Sequence, residues 1–385
     1  MSFVETQERV ALRAAVADLA GSYGWTYTQE KARAGLHLDE LWRDAGKAGF
    51  LGVNIPEEYG GGGAGIYELS LVLEELGAAG CAMLMMVVSP AICGTILSRY
   101  GTPEQKQAWL PGIADGSRIM AFGITEPDAG SNSHKIQTVG RKDGAEWVVS
   151  GRKVFISGVD QADAVLIVGR TEDQKTGKLR PALWMVPTDA RGFEKTQIQM
   201  DLVSADKQFQ LFLDDVHLPA DALVGQEDAA LAQLFAGLNP ERIMASALAT
   251  GIGRYALDKG CAYAKDRAVW GQPIGAHQGV AHPLAQAKIE LELARLMMQK
   301  AATLYDAGDD MGAGEAANMA KYAAAEASIR CVDQAIQTHG GNGMASEYGL
   351  GHLLAVARTA RIAPVSREMV LNFVAQFSLG LPKSY

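Results

Sequence analysis

The hydrophobic period switches twice along this chain, and that double switch restricts its architecture more than any other feature. Val4 to Tyr23 and Asp39 to Gly49 carry apolar residues at helical spacing. After a turn-rich break at Pro56-Glu-Glu-Tyr-Gly-Gly-Gly-Gly63, Leu69 to Leu76 resumes that spacing and Pro103 to Trp109 opens another helix. Then come short runs rich in Val, Ile and aromatics: Arg118 to Ile124, Trp147 to Ile156, Ala164 to Arg170, Ala182 to Val186 and Gln208 to Leu213. Clusters of Gly, Asp and Lys separate them, as expected of strands, and the pattern ends near Val224-Gly225. From Ala229 the helical period returns, and Leu284 to Tyr305 and Glu315 to Thr338 are long enough for bundle helices. The expected fold class is α+β: a helical domain over 1–118, a β domain over 119–228 and a helical domain over 229–385.

Composition narrows the function. The 385 residues are 48% hydrophobic, enough for large cores, and the net charge is -9. An acidic surface disfavours general binding to nucleic acid or anionic membranes, though it permits a local basic pocket for a phosphorylated ligand. No basic stretch followed by an apolar one opens the chain, so no signal peptide is expected. The longest apolar run, Cys81 to Ile96, is interrupted by Ser89, Pro90 and Gly94 and is too short to span a bilayer. The four cysteines, Cys81, Cys93, Cys261 and Cys331, are scattered without metal-ligand spacing. Reduced thiols, no metal and a cytoplasmic location are expected.

Four short blocks carry the chemistry. The first is Phe122-Gly-Ile124 followed by Thr125-Glu-Pro-Asp-Ala-Gly130-Ser131-Asn132. The second is Gly151-Arg-Lys-Val-Phe155-Ile-Ser157-Gly158, and the third is Arg267-Ala-Val-Trp270-Gly-Gln-Pro-Ile274 with Gln278 downstream. The fourth is Gln337-Thr-His-Gly340-Gly341-Asn-Gly343. In this order, between helical flanks, they resemble the acyl-CoA dehydrogenase family over essentially the whole chain. The first block carries most of the resemblance, against the family pattern Thr-Glu-Pro-x-Ala-Gly-Ser-Asp. The resemblance implies a β-barrel-like middle domain, a C-terminal four-helix bundle and a non-covalently held FAD.

The residue chemistry suits that cofactor. A flavin pyrimidine ring needs donors, which a Thr125 hydroxyl and nearby backbone amides supply. A proline followed by small residues makes an open turn where backbone can approach a ring system. The resemblance places Phe122, Ile124, Thr125, Gly130 and Ser131 at the cofactor, with Ser131 also close to substrate. It packs Phe155 on the flavin and puts the Ser157 hydroxyl near N5. Arg267 and Gln278 would reach the pyrophosphate and adenosine side, typically of a neighbouring subunit, for which a guanidinium fork is well shaped. Trp270, Gln337, Gly340 and Gly341 belong to the same side. Blocks that serve a cofactor across an interface imply a homotetramer, or at least a dimer.

Two glycine patterns mislead. Gly251-Ile-Gly253-Arg-Tyr-Ala256 matches a loose dinucleotide fingerprint, but Ile243 to Thr250 before it reads as helix, so close helix packing is expected. Gly60 to Gly63 lacks the Gly-Lys-Ser/Thr of a P-loop.

The implied reaction is α,β-dehydrogenation of an acyl-CoA. An α-proton goes to a carboxylate and a β-hydride to flavin N5, with electrons passed on to an electron-transferring flavoprotein. Many members place the base in a C-terminal Tyr-Glu-Gly-Thr segment, which falls here on Ala363-Pro-Val-Ser366, with Pro364 at the Glu position. Pro364 offers neither a carboxylate nor an N–H. Isovaleryl-CoA dehydrogenase and the long-chain enzyme instead carry the base in a Glu-Arg pair, here Glu241-Arg242 after Asn239-Pro240. Pro240 fits a first helical turn, which would put Glu241 at a helix start. Glu241 is the expected base and Arg242 a contact to substrate. The other reading of Glu241 is a stabilising acid at a helix N-terminus. Glu368 is the second candidate base, or with Ser366 a residue near the flavin. The Val365 N–H and a ribityl hydroxyl could polarise the thioester. The small residues Ala245 and Ala249 could line an acyl pocket, with helix packing the alternative. The loss of the usual Glu leaves open a flavin oxidase or monooxygenase on the same scaffold, and also a non-catalytic flavoprotein.

Overall fold

The helical spacing near the N-terminus becomes α1 (Gln7–Arg33) and α2 (Asp39–Lys47). The computed structural model describes residues 5–172, 176–226 and 230–383. Val4, where that spacing begins, and residues 228 and 229, at the expected domain boundary, lie outside them. Thr6 caps α1 by accepting the Arg9 N–H, and Gly24 kinks it with φ 68°. Next come α3 (Ile66–Ala78), α4 (Leu84–Met86), a π-helical turn (Val87–Gly94), α5 (Thr95–Tyr100) and α6 (Pro103–Asp115). The interrupted apolar run is therefore helical, with Pro90 seated in the wider π turn. Among the described residues no helix is long and apolar enough to cross a membrane.

The middle of the chain forms a seven-stranded mixed sheet. Its strands are β1 (Met120–Gly123), β2 (Val139–Asp143), β3 (Glu146–Ser157), β4 (Ala164–Glu172), β5 (Leu179–Pro187), β6 (Phe193–Ile198) and β7 (Gln208–Pro219). They pair in the order β1-β4-β2-β3-β7-β6, with β5 against β4. The β1–β4 ladder is parallel, whereas β3–β7 and β4–β5 are antiparallel. Trp147 and Trp184 meet edge-on at 5.5 Å in the sheet core.

The C-terminal part is helical apart from a small hairpin. It contains α7 (Ala230–Asp266), β8 (Ala268–Val269), β9 (Gln272–Pro273), α8 (Gln278–Asp306), α9 (Asp310–His339), α10 (Leu353–Ile362) and α11 (Arg367–Phe373). The Asp306 carboxylate at the end of α8 accepts the Ile66 and Tyr67 N–H groups at 2.8 and 2.9 Å, capping α3 from another domain. Gly251 of α7 packs so tightly on α3 that a Cβ there would stand 2.5 Å from the Glu74 carbonyl. Close helix packing is thus the role of that glycine pair. α7 and α9 run parallel in constant register: Asn239 meets Gly314, Gly253 meets Ser328 and Gly260 meets Ala335.

One expectation fails here. Pro240 does not open a helix: α7 begins at Ala230, so Pro240 and Glu241 lie in its interior. A proline inside a helix frees the carbonyl four residues earlier, and that group, the Ala236 oxygen, accepts the buried Tyr305 hydroxyl at 2.8 Å. The lost bond is replaced from α8, and the helix continues through the proline. It also removes the helix-start explanation for Glu241. Tyr305→Phe should therefore cost about 1–2 kcal/mol in urea unfolding. Pro240→Ala should recover most of that loss in the double variant, because it restores the amide donor.

Candidate functional site

The first two blocks are knitted together. The Val154 N–H donates to the Thr125 carbonyl at 3.0 Å. Beneath them Lys153, fully buried, donates through Nζ to the Ile124 and Val168 carbonyls and to Glu126 Oε1 at 2.8 Å. Glu126 also accepts the Gln137 and Thr138 N–H groups and the Thr138 hydroxyl. Burial alone would raise its carboxyl, but Lys153 and these donors outweigh it and hold it below its ordinary value. A closed polar network therefore fixes the turn bearing Thr125, Gly130 and Ser131.

Phe155 lies above this anchor. The β3–β7 register shifts between Lys153 and Ile156, and Phe155 occupies the bulge with φ 57°, a left-handed conformation unusual for an aromatic residue. Its ring is 57% exposed, although large apolar side chains gain by burial. A strained backbone that presents an apolar ring suits a ligand platform. Ser157 exchanges hydrogen bonds with Gln208 of β7 at 2.9 and 3.1 Å. Gln208 is a neighbour that sequence reasoning missed, since β3 and β7 pair directly although β4, β5 and β6 lie between them in the chain.

The third and fourth blocks lie at the far ends of α7 and α9, which touch there through Tyr263. His339 stacks on Tyr263 at 4.2 Å, and Asn342 donates to the Tyr263 hydroxyl. Trp270 and Gly271, both with positive φ, turn the β8–β9 hairpin, and the Trp270 ring is 88% exposed. Arg267, Gln278, Gln337, Gly340 and Gly341 are exposed as well. Among the described residues no hydrogen bond or ring contact joins this group to the sheet blocks.

The candidate base belongs to a third cluster. Glu241 is half-buried, and its carboxylate has no hydrogen bond or ion pair among the described residues. Burial pushes it up to about 7, against the nearby charges of Arg242 and Lys321. Arg242 is buried. Its Nη1 donates to the Leu238 carbonyl, whereas its buried Nε has no acceptor among the described residues. Buried Lys321 of α9 donates to the Val365 carbonyl. Ser366 caps α11 by accepting the Met369 N–H, and Glu368 is exposed in its first turn. The helical layer thus gathers Glu241, Arg242 and the 363–368 segment around a lysine that sequence reasoning did not single out.

Two bonds tie the π turn, on which Glu241 borders, to the sheet. The Cys93 thiol, raised by burial and then by Glu241, donates to the Ala121 carbonyl at 3.5 Å. The Met120 N–H donates to the Ser89 hydroxyl at 3.1 Å. The Glu241 carboxyl of the helical layer therefore sits one short element away from β1, the strand that carries Phe122. Ala249 is buried among helix residues, and Ala245 is half-buried. All four cysteines are free thiols, and no metal-binding cluster occurs among the described residues.

Comparison with known proteins matches this organisation. Residues 6–117, 121–216 and 231–379 match the models of the acyl-CoA dehydrogenase N-terminal, middle and C-terminal domains. The chain is 69% identical over 384 residues to the acyl-CoA dehydrogenase FadE12 of Mycobacterium tuberculosis, covering 100% of this chain and 99% of that relative. Among solved structures, a glutaryl-coenzyme A dehydrogenase in complex with glutaryl-CoA superposes with a TM-score of 0.94 at 28% identity, covering 100% of this chain and 98% of that one. A glutaryl-CoA dehydrogenase from Mycobacterium smegmatis in complex with FADH2 gives 0.90 at 26% identity, covering 99% and 96%.

Proposed function

Because the chain belongs to the acyl-CoA dehydrogenase family, an FAD enzyme by that membership, we propose that it removes an α-proton with Glu241 while the β-hydrogen leaves toward the cofactor. The observation that carries this reading is the Glu241 carboxyl, without a hydrogen bond or ion pair among the described residues and raised by burial to about 7. A base with that affinity is ionised near neutrality and still binds a proton well. Exposed Glu368 lacks that enclosure.

The residues fit the cofactor. Exposed Phe155 offers a flat apolar platform, and a Cβ built at Gly130, Gly340 or Gly341 would meet nothing within 4 Å. FAD, when bound, accepts the hydride. Phe122, Ile124 and Phe155 would pack against its ring system, and Thr125, Ser131 and Ser157 would donate to it. Ser366 and Glu368 would border it from the helices. The exposed set of Arg267, Trp270, Gln278, Gln337, Gly340 and Gly341 would hold the dinucleotide of a neighbouring copy. Ser131 and Arg242 would contact substrate, and the Val365 N–H would polarise the thioester oxygen. Exposed Ile289, Leu293 and Leu296, one stripe of α8, support burial against another copy of the chain in a homotetramer. Electrons would continue to an electron-transferring flavoprotein.

The test is anaerobic mixing of the FAD-loaded protein with butyryl-, isovaleryl-, octanoyl- and palmitoyl-CoA. At least one thioester should bleach the flavin, faster as pH rises through about 7. If none bleaches it, dehydrogenation is refuted. Phe155→Ala should weaken FAD binding about tenfold to a hundredfold by equilibrium titration, through roughly 1.5–3 kcal/mol of lost apolar contact. The melting temperature of the apoprotein should barely move, because the ring is already exposed.

A further inference from the structure

Lys321 is only 2% exposed, although a lysine in an alanine-rich helix ordinarily turns to water. The backbone explains where its ammonium goes. The parallel register of α7 and α9 sets Lys321 beside Ser246. Helical side chains lean toward the N-terminus of their own helix, so the lysine stem runs back by about one turn along α7, to the level of Arg242 and Glu241. There Nζ donates to the Val365 carbonyl, in the connection between α10 and α11. The charges around it are Arg242 and Glu241 from α7, Glu326 from α9 and Glu368 from α11. Glu326 is already paired with Arg361. Glu241 faces Arg242 on its own helix, Lys321 across it and Cys93 on the π turn.

We propose that Lys321 is a positioning residue for proton abstraction: its ammonium fastens the Ala363–Ser366 turn to α9 and stands as the second cation beside Glu241. The inference rests on Glu241 as the base. Burial and Arg242 lower Lys321 to about 8, so it keeps its charge at neutral pH. Without it, Arg242 alone would oppose the burial of an ionised Glu241. Val365, whose N–H is assigned to the thioester, would lose the tether on its carbonyl.

The test compares Lys321→Met with Lys321→Gln, which keeps a donor for Val365 but no charge, both loaded with FAD. Infrared titration follows the protonated carboxyl band that Glu241→Gln removes, and hydrogen exchange follows the peptide covering residues 363–369. Both variants should raise the Glu241 midpoint by about one pH unit, and the bleaching profile with octanoyl-CoA should shift with it. Only Lys321→Met should speed exchange of the 363–369 amides, by about tenfold or more. An unchanged midpoint in both variants overturns the electrostatic half, and unchanged exchange in Lys321→Met overturns the tether. If Lys321→Met does not fold, the Lys321→Gln midpoint decides. If the wild-type flavin is bleached by no thioester, the dehydrogenation reading falls, while the infrared midpoint still judges the Lys321–Glu241 coupling.

Discussion

Glu241→Gln should slow flavin bleaching by an acyl-CoA by at least about a thousandfold, because a positioned base contributes roughly that much. FAD content should stay at the wild-type level, since none of the proposed cofactor contacts is Glu241. Stability should respond in the opposite direction. Burial raises the carboxyl from 4.5 to about 7, so the folded state holds this proton more tightly than the unfolded state. Wild type therefore loses stability as pH rises from about 4.5 to about 7, and the penalty is complete above that range. The Gln variant escapes it and should be more stable by on the order of 1–3 kcal/mol at pH 8, with little difference at pH 4. Stopped-flow bleaching and thermal melts at both pH values would check the pair of effects. A variant that bleached normally would remove Glu241 as base.

A comparable effect on stability is expected at Glu74. This carboxylate is fully buried on α3 and binds Arg295 at 2.6 Å and Arg13 at 2.7 Å, with Arg254 at 3.6 Å. It also accepts the Thr250 hydroxyl. The arrangement bolts α1, α3, α7 and α8 together. Burial alone would raise the carboxyl, but the three guanidinium groups outweigh it and hold it at about 2. Glu74→Gln leaves them short of one negative charge inside the protein and should cost about 3–5 kcal/mol. For a chain of this length that lowers the melting temperature by ~5 °C. The pH dependence follows from the lowered value. The stabilisation is complete above the ordinary carboxyl range near 4.5 and disappears as pH falls toward about 2. Wild type should lose its advantage over Glu74→Gln across that window, measured by chemical denaturation at each pH. A constant difference from pH 7 to pH 2 would mean that Glu74 contributes packing rather than charge.

How far the sequence revealed this molecule depended on how local each signal was. The long helices α8 and α9 were legible because their alanine, leucine and methionine residues repeat at helical spacing over many turns. The strands β2 and β6 were not. Val139-Gly-Arg-Lys-Asp143 and Phe193-Glu-Lys-Thr-Gln-Ile198 are polar and largely exposed, and their partners hold them more than their own composition does. The Pro240 reading erred because the remedy for its missing N–H, the Tyr305 hydroxyl, lies on another helix. The motif residues Thr125 and Phe155 could be located, but their anchor could not, since Lys153 reads as a strand-surface lysine until Glu126 is brought beneath it. Lys321 was invisible for the same reason.

The π turn over Val87–Gly94 acts as a shim. A π turn carries one more residue than the α turn it replaces, and this one supplies both Ser89 to the Met120 amide and Cys93 to the Ala121 carbonyl. Deleting a single residue there would rotate the following turn by about 100° and withdraw the Cys93 anchor, letting the sheet drift from the layer that carries Glu241. The spacing between the sheet and the helical layer that carries Glu241 is thus gauged by the length of one short helix, and adding or removing one residue in it would be a way to reset that spacing without altering Glu241 itself.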